Sequence, residues 1–204
     1  MIPNFTYPIV NHPQGTRVSS GWGEDRSYRG AGKVHNGFDF PAPVGTPVKA
    51  IADGVVIAAG DTAPNPAGLM LVIEHAGGWI SRYLHLSAFK VSKGQRVYKG
   101  QLVALSGSSG IKQSAAHLHF DIRVKPEALA TYVARFGKPH NTQFPGDSVS
   151  GGVGVPSESL IPANIYDDRV KANAAKLGLV LRGSEGGLTT LLLLAVVAWM
   201  ILRR

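Results

Sequence analysis

Two histidines lie two residues apart within residues 115–124, where polar and apolar side chains alternate. Such alternation predicts a β-strand with one buried face, because successive side chains of a strand point to opposite sides. His117, His119 and Asp121 then share the polar face, with the two imidazoles about 7 Å apart. This pattern suits one small metal or acid–base site. The alternative is a strand whose polar face is simply solvated.

Three residues of the same chemical types lie earlier in the chain. His35 and Asp39 flank an Asn-Gly pair. That pair favours a turn, which would shorten the roughly 13 Å that separates the two residues on a fully extended chain. His85 closes a strand that we predict over residues 79–86, on the same face as Tyr83. These three residues and the two histidines of residues 115–124 form the candidate site.

The residue types of this candidate site favour zinc chemistry. A catalytic zinc ion usually takes three protein ligands and keeps one position for water, whose pKa falls to about 7. Two histidines and one carboxylate are a suitable ligand set. The other histidines would hold the water, take its proton or stabilise the charged intermediate. Spacing alone leaves open which three of the five residues bind the metal.

The elements that would position these residues are mostly strands. The chain has 204 residues, of which 25 are glycine and 13 are proline. Short apolar runs separated by turn residues, at 47–52, 54–59 and 69–75, predict an all-β body: a compact antiparallel sheet or sandwich. One helix is predicted over residues 127–136, with Pro126 at its start.

Composition also excludes several classes of function. The chain has no cysteine, which rules out disulfides, iron–sulfur clusters and cysteine nucleophiles. The formal net charge of +8 favours an anionic partner such as nucleic acid, a membrane or a wall polymer, or serves solubility alone. Runs of Lys and Arg interleaved with aromatic residues do not occur, so a nucleic-acid partner is not expected.

Several ordered motifs give the chain a family resemblance. They are His35-x-x-x-Asp39, Gly37-Phe38-Asp39-Phe40, Asp53-Gly54-Val55-Val56, Tyr83-Leu84-His85-Leu86 and His117-Leu118-His119-Phe120-Asp121. Over roughly residues 18–125 the chain resembles the lysostaphin-type (LytM-type) zinc metallopeptidases, which cut peptide bonds in peptidoglycan.

The resemblance implies a role for each candidate residue. It implies that His35, Asp39 and His119 are the Zn²⁺ ligands. His85 and His117 correspond to the catalytic histidines, which orient and deprotonate the water and stabilise the tetrahedral intermediate. The implied function is a zinc metalloendopeptidase that acts on peptidoglycan cross-links or bridges. Asp121 is a candidate for orienting an imidazole.

We expect three parts along the chain. Residues 1–145 form the catalytic domain, residues 146–170 a Gly/Ser/Pro linker, and residues 171–204 a helical membrane anchor. Residues 188–202 carry no charge and precede two arginines, and as a helix they span about 23 Å of a hydrocarbon core of about 30 Å. The arginines predict that the catalytic domain lies across the membrane and faces the cell wall. The N-terminus lacks the pattern of a secretory signal.

Some alternatives stay open at this stage. The chain is either an enzyme or a non-catalytic wall-binding or structural module of the same fold. A lipoyl-type carrier, suggested by residues 53–56 and the Lys-Gly-Gln repeats, would lack a lysine at a tight hairpin tip. The cellular setting is either a phage membrane, where the enzyme would open the host wall as a virion component, or a bacterial envelope. Arg26 and Tyr83 either border the substrate groove or are ordinary rim residues.

Overall fold

A computed structural model of the protein describes residues 1–11, 16–29, 34–112, 114–136, 153–155, 160, 172 and 175–176. Within them the chain forms nine strands and one α-helix. The strands are β1 (Phe38–Pro41), β2 (Pro47–Lys49), β3 (Gly54–Asp61), β4 (Leu69–His75), β5 (Trp79–Phe89), β6 (Arg96–Val97), β7 (Leu102–Ser106), β8 (His117–Val124) and β9 (Val153–Val155), and the helix is α1 (Pro126–Phe136). The predicted all-β class is confirmed, and so is the short helix after the histidine strand.

Strand β8 lies at the centre of the candidate site. The sheet order is β1-β8-β5-β4-β3-β6, β7 pairs with β2 and β5, and β9 pairs with β8. Each pairing is antiparallel. Because β1 and β5 flank β8 on its two sides, three segments that are distant in sequence present side chains to one face.

The apolar face of β8 forms part of the main core. Its four apolar side chains are fully buried: Leu118, Phe120, Ile122 and Val124. They pack in one cluster with aromatic residues of β1 and β5, including Phe38, Phe40 and Tyr83. Burial of this face fixes which way the histidines point, because a slip of one residue would expose the whole apolar set. The alternation predicted for this strand is therefore confirmed.

The alternation of β5 breaks at His85. Tyr83 faces the core, and regular alternation would place His85 on the same face of the strand, which is the shared face that we predicted. Instead His85 has a φ of 62°, and Leu86 takes the next core position. In the neighbouring strand β4, Leu69 pairs with Leu86 and Leu71 pairs with Tyr83. Between these two pairs β5 therefore has one residue more than β4. The extra β5 residue is a bulge, which re-aims a side chain. The predicted shared face of His85 and Tyr83 is wrong.

The chain beyond α1 is described only in part. Val153–Val155 pair with Ile122, Arg123 and Val124 of β8, so a short strand occupies this part of the predicted linker. Of residues 171–204, where we predict the helical membrane anchor, the structure describes only residues 172 and 175–176, and the uncharged run at residues 188–202 lies outside the described residues. Among the described residues, no helix has the length and apolar character needed to span a membrane.

Candidate metal centre

Three of the predicted site residues meet where β1 pairs with the start of β8. Asp39 of β1 is the register partner of His119 in β8, and His35 lies just before β1. Asp39 Oδ1 is 2.9 Å from His119 Nδ1 and 3.2 Å from His35 Nε2. The two imidazole nitrogens are 3.1 Å apart. One ligand atom from each residue therefore points into the same small space.

These spacings fit a tetrahedral metal ion. Ligand atoms about 2.1 Å from such an ion lie roughly 3.4 Å from one another. The observed separations of 2.9 to 3.2 Å need only a small expansion. Among the described residues, these three side chains form the one group of His and carboxylate ligands that could hold a metal ion. Two nitrogens and one oxygen are donors that suit zinc better than calcium or magnesium.

The nitrogen that His35 offers to the site is set by its surroundings. Its Nδ1 lies 3.0 Å from the carbonyl oxygen of Gly21 and 2.8 Å from Ser20 Oγ. A carbonyl oxygen only accepts, so Nδ1 carries the proton of the neutral ring. The unprotonated Nε2 is then the atom that faces Asp39. Such a hydrogen bond behind a metal-binding histidine fixes both its tautomer and its orientation.

His119 is held between two carboxylates. Its Nδ1 faces Asp39 and its Nε2 lies 3.5 Å from Asp121 Oδ2. Burial lowers the pKa of His119, but hydrogen bonds to Asp121 and Asp39 outweigh burial and raise that pKa to about 9 in the metal-free protein. Burial raises the pKa of Asp121, and the charge of Arg82 overcomes this and holds it well below its usual range. Asp121 is thus an ionised partner of His119.

The two remaining histidines form the other half of the site. The ring centroids of His85 and His117 are 4.9 Å apart, and those of His85 and His119 are 6.1 Å apart. His85 Nδ1 donates to the carbonyl of Ser109 at 3.0 Å, and His117 Nδ1 donates to the carbonyl of Ala115 at 2.8 Å. Both rings therefore keep Nε2 for a reacting group. Burial, followed by the charge of His119, lowers the pKa of His85 to about 4.

Sequence reasoning missed some of the residues that hold this arrangement. In the loop after β7, Ser109 Oγ accepts from the Leu69 amide at 2.8 Å and donates to the Leu86 carbonyl at 2.7 Å. No pattern in the sequence marks this serine. Tyr83 does not border a groove, because it is fully buried and its hydroxyl accepts from the Ile51 amide at 3.1 Å. Arg26, by contrast, contacts Asp39 directly.

Comparison with known proteins places this geometry in a family. The model of peptidase family M23 matches residues 33–131, and all five site residues fall inside that match. Residues 33–131 form a peptidase family M23 domain. The resemblance drawn from the motifs is thereby confirmed.

The names of relatives within the family refer to different peptide bonds. Peptidoglycan DD-endopeptidase ShyA of Vibrio cholerae is 42% identical over 112 residues, which are 53% of this chain and 25% of ShyA. Glycyl-glycine endopeptidase ALE-1 of Staphylococcus capitis is 44% identical over 89 residues, 44% of this chain and 24% of ALE-1. A crystal structure of a zinc containing peptidase from Vibrio cholerae is 39% identical, covering 60% of this chain and 37% of that one, with a TM-score of 0.53. The chain thus spans about a quarter of the length of these curated relatives.

Proposed function

We propose that this protein is a zinc-dependent endopeptidase that hydrolyses peptide bonds in bacterial peptidoglycan. The observation that carries the proposal is the convergence of His35 Nε2, Asp39 Oδ1 and His119 Nδ1 within 2.9 to 3.2 Å of one another. Two more imidazoles stand beside this trio. Membership of family M23 and the endopeptidase relatives support the same chemistry.

Each residue of the site has a role in this proposal. His35, Asp39 and His119 would hold the ion. Zinc, when bound, acts as a Lewis acid and makes water nucleophilic near neutral pH. His85 is neutral near pH 7 because its pKa is lowered to about 4. Its Nε2 can therefore accept a hydrogen bond or a proton from the attacking water.

His117 provides the complementary contact. Its Nδ1 donates to a backbone carbonyl, so only its Nε2 can contact the substrate. This Nε2 lies 3.6 Å from Asp39 Oδ1. An N–H group at Nε2 would donate to the carbonyl oxygen of the substrate as negative charge develops on that oxygen. It can afterwards give its proton to the leaving amine. The two histidines together would orient and deprotonate the water and stabilise the tetrahedral intermediate.

Attachment to a membrane is a separate part of the proposal. It is supported by the uncharged run at residues 188–202 and the two arginines after it. A chain anchored in this way would present its catalytic domain to the cell wall from a phage membrane or a bacterial envelope. Membrane fractionation followed by protease protection tests this directly. Full-length protein that stays soluble after cell lysis would contradict it.

The peptidase proposal is tested with defined wall fragments. The full chain is incubated with one fragment that has a direct diamino-acid cross-link and with another that has a glycine bridge, and mass spectrometry follows the gain of one water per cleavage. We expect cleavage of at least one fragment, its loss in His119→Ala, and no change in the exposed control Lys93→Ala. Binding to peptidoglycan without cleavage by the zinc-loaded chain would favour the non-catalytic module instead.

A further inference from the structure

Arg26 connects the two metal-site residues that lie nearest to it in sequence. Its Nη2 donates to Asp39 Oδ2 at 2.8 Å and to Ser20 Oγ at 2.5 Å. Ser20 Oγ in turn lies 2.8 Å from His35 Nδ1. One guanidinium therefore contacts the carboxylate directly and reaches the imidazole through a single hydroxyl. The Arg26 side chain is only 13% exposed, so this is not a solvated surface pair.

The backbone holds Arg26 in this place. Ser20 and Asp39 form an antiparallel bridge, in which the Asp39 amide donates to the Ser20 carbonyl at 2.9 Å. Further along, the His35 amide donates to the Glu24 carbonyl at 2.9 Å. The segment that carries Arg26 is thus paired with the segment that carries both metal-site residues. Its position over Asp39 follows from the fold and does not depend on the ion pair alone.

The two oxygens of Asp39 have different environments. Oδ1 faces the imidazoles of His119 and His35 at 2.9 and 3.2 Å, whereas Oδ2 accepts the hydrogen bond from Arg26. A carboxylate can bind a metal ion through one oxygen or through both. The planar guanidinium is a strong and directional partner for a carboxylate oxygen. Because Oδ2 accepts this hydrogen bond, it points towards Arg26 and away from the ion that Oδ1 would bind.

We propose that Arg26 is a positioning residue that restricts Asp39 to binding the metal ion through Oδ1 alone, which keeps one coordination position open for the reaction. This inference rests on the proposed zinc site. A catalytic zinc site needs three protein ligands and an open position. A second oxygen from Asp39 would occupy that position or crowd it.

Cobalt substitution tests this role without relying on catalysis. The metal-free full chain is loaded with Co²⁺, whose visible absorption is intense in four-coordinate sites and weaker when a fifth ligand is added. We expect the intense spectrum for the wild type, a weaker one for Arg26→Met at equal cobalt content, and an intermediate one for Arg26→Lys. Arg17→Met is the matched control, because Arg17 is exposed in the same N-terminal segment, and its spectrum should equal that of the wild type.

Two results with the Arg26→Met variant would contradict the positioning role. One is a cobalt spectrum identical to that of the wild type. The other is complete loss of cobalt, which would make Arg26 necessary for binding and not for the binding mode. X-ray absorption of the zinc-loaded wild type tests the same claim without a variant, and two Asp39 oxygens at bonding distance would overturn it. A wild-type chain that binds metal through one Asp39 oxygen but cleaves no wall fragment would contradict only the proposed function.

Discussion

Replacing Asp121 by asparagine tests whether its carboxylate balances the positive charges of the buried arginines beside the proposed metal centre. Asp121 is 1% exposed and accepts hydrogen bonds from Arg82 Nε at 2.9 Å and Arg82 Nη2 at 2.7 Å. Arg123 Nε lies 3.4 Å from Asp121 Oδ1, and His119 Nε2 lies 3.5 Å from Asp121 Oδ2. Asparagine keeps the shape of the side chain and removes its charge.

The magnitude follows from this burial. Removing one partner from a buried ion pair costs about 3–5 kcal/mol, because the remaining charge stays away from water. A typical domain is stable by about 5–15 kcal/mol, so Asp121→Asn should fold and be clearly weakened. The loss of an orienting carboxylate behind a metal ligand typically costs about 10–100-fold in metal affinity. We therefore expect both a less stable apo-protein and weaker zinc binding.

Urea denaturation in the presence of a chelator measures the first effect. The fluorescence of the buried Trp22 and Trp79 reports unfolding, and a zinc competition assay measures the second effect. Asp61→Asn is the control, because Asp61 is exposed and asparagine can still accept its hydrogen bond from the Ala63 amide; it should change stability by less than about 0.5 kcal/mol. A loss below about 1 kcal/mol for Asp121→Asn would refute the buried-pair argument.

The same pair gives a pH dependence of known sign. The pKa of Asp121 is well below its usual range in the folded protein and returns to about 3.9 in the unfolded chain. Its contribution to stability is therefore complete at neutral pH and is lost as the pH falls below about 4. The difference in stability between wild type and Asp121→Asn should shrink over that same range. A difference that stayed constant down to pH 2 would contradict this assignment.

Three further predictions concern the site. His85→Ala should lower turnover about 10²–10⁴-fold and leave zinc affinity nearly unchanged, as seen by peptide release and calorimetry; a large fall in affinity would make His85 a ligand. Gly37→Ala should destabilise the chain by about 1–3 kcal/mol, because a methyl group there would collide with a backbone oxygen of β8 and lie 2.9 Å from a β8 Cβ. Gly60→Ala is the matched control, since a methyl group there meets nothing within 4 Å, and equal costs in urea denaturation would argue against the collision. Because the pKa of His119 is about 9 without metal, zinc must displace its proton, so the apparent zinc affinity should rise with pH up to about 9; calorimetry in buffers of different ionisation enthalpy would show no proton release if this were wrong.

The sequence was most informative where burial dictates the pattern. The alternation of β8 could be predicted because its apolar residues fill the core. That alternation determines the face on which His117 and His119 lie. The boundary between β4 and β5 could also be predicted from the sequence, since Gly77 and Gly78 form the turn between them with φ values of 76° and 78°. The trio of His35, Asp39 and His119 came from motif order, because its members lie on different segments that only the sheet brings together.

Features that depend on local backbone conformation could not be predicted in this way. The left-handed backbone at His85 reverses the face expected from strand periodicity, and a histidine at that position carries no mark of a bulge in the sequence. The contact of Arg26 with Asp39 joins residues 13 apart through a tertiary bridge. Both features arise from pairing between segments, which spacing along one segment does not encode.

Zinc titration of the metal-free full chain, with peptide release from peptidoglycan followed at each step, tests the proposed metal-dependent peptidase most directly. One cluster of ligands is present among the described residues, so we predict that the rate rises with added zinc, levels off at one equivalent, and returns to zero with a chelator. His119→Ala should show no rate at any zinc concentration that leaves the wild type active. Full hydrolysis by metal-free protein, or by His119→Ala, would contradict the account.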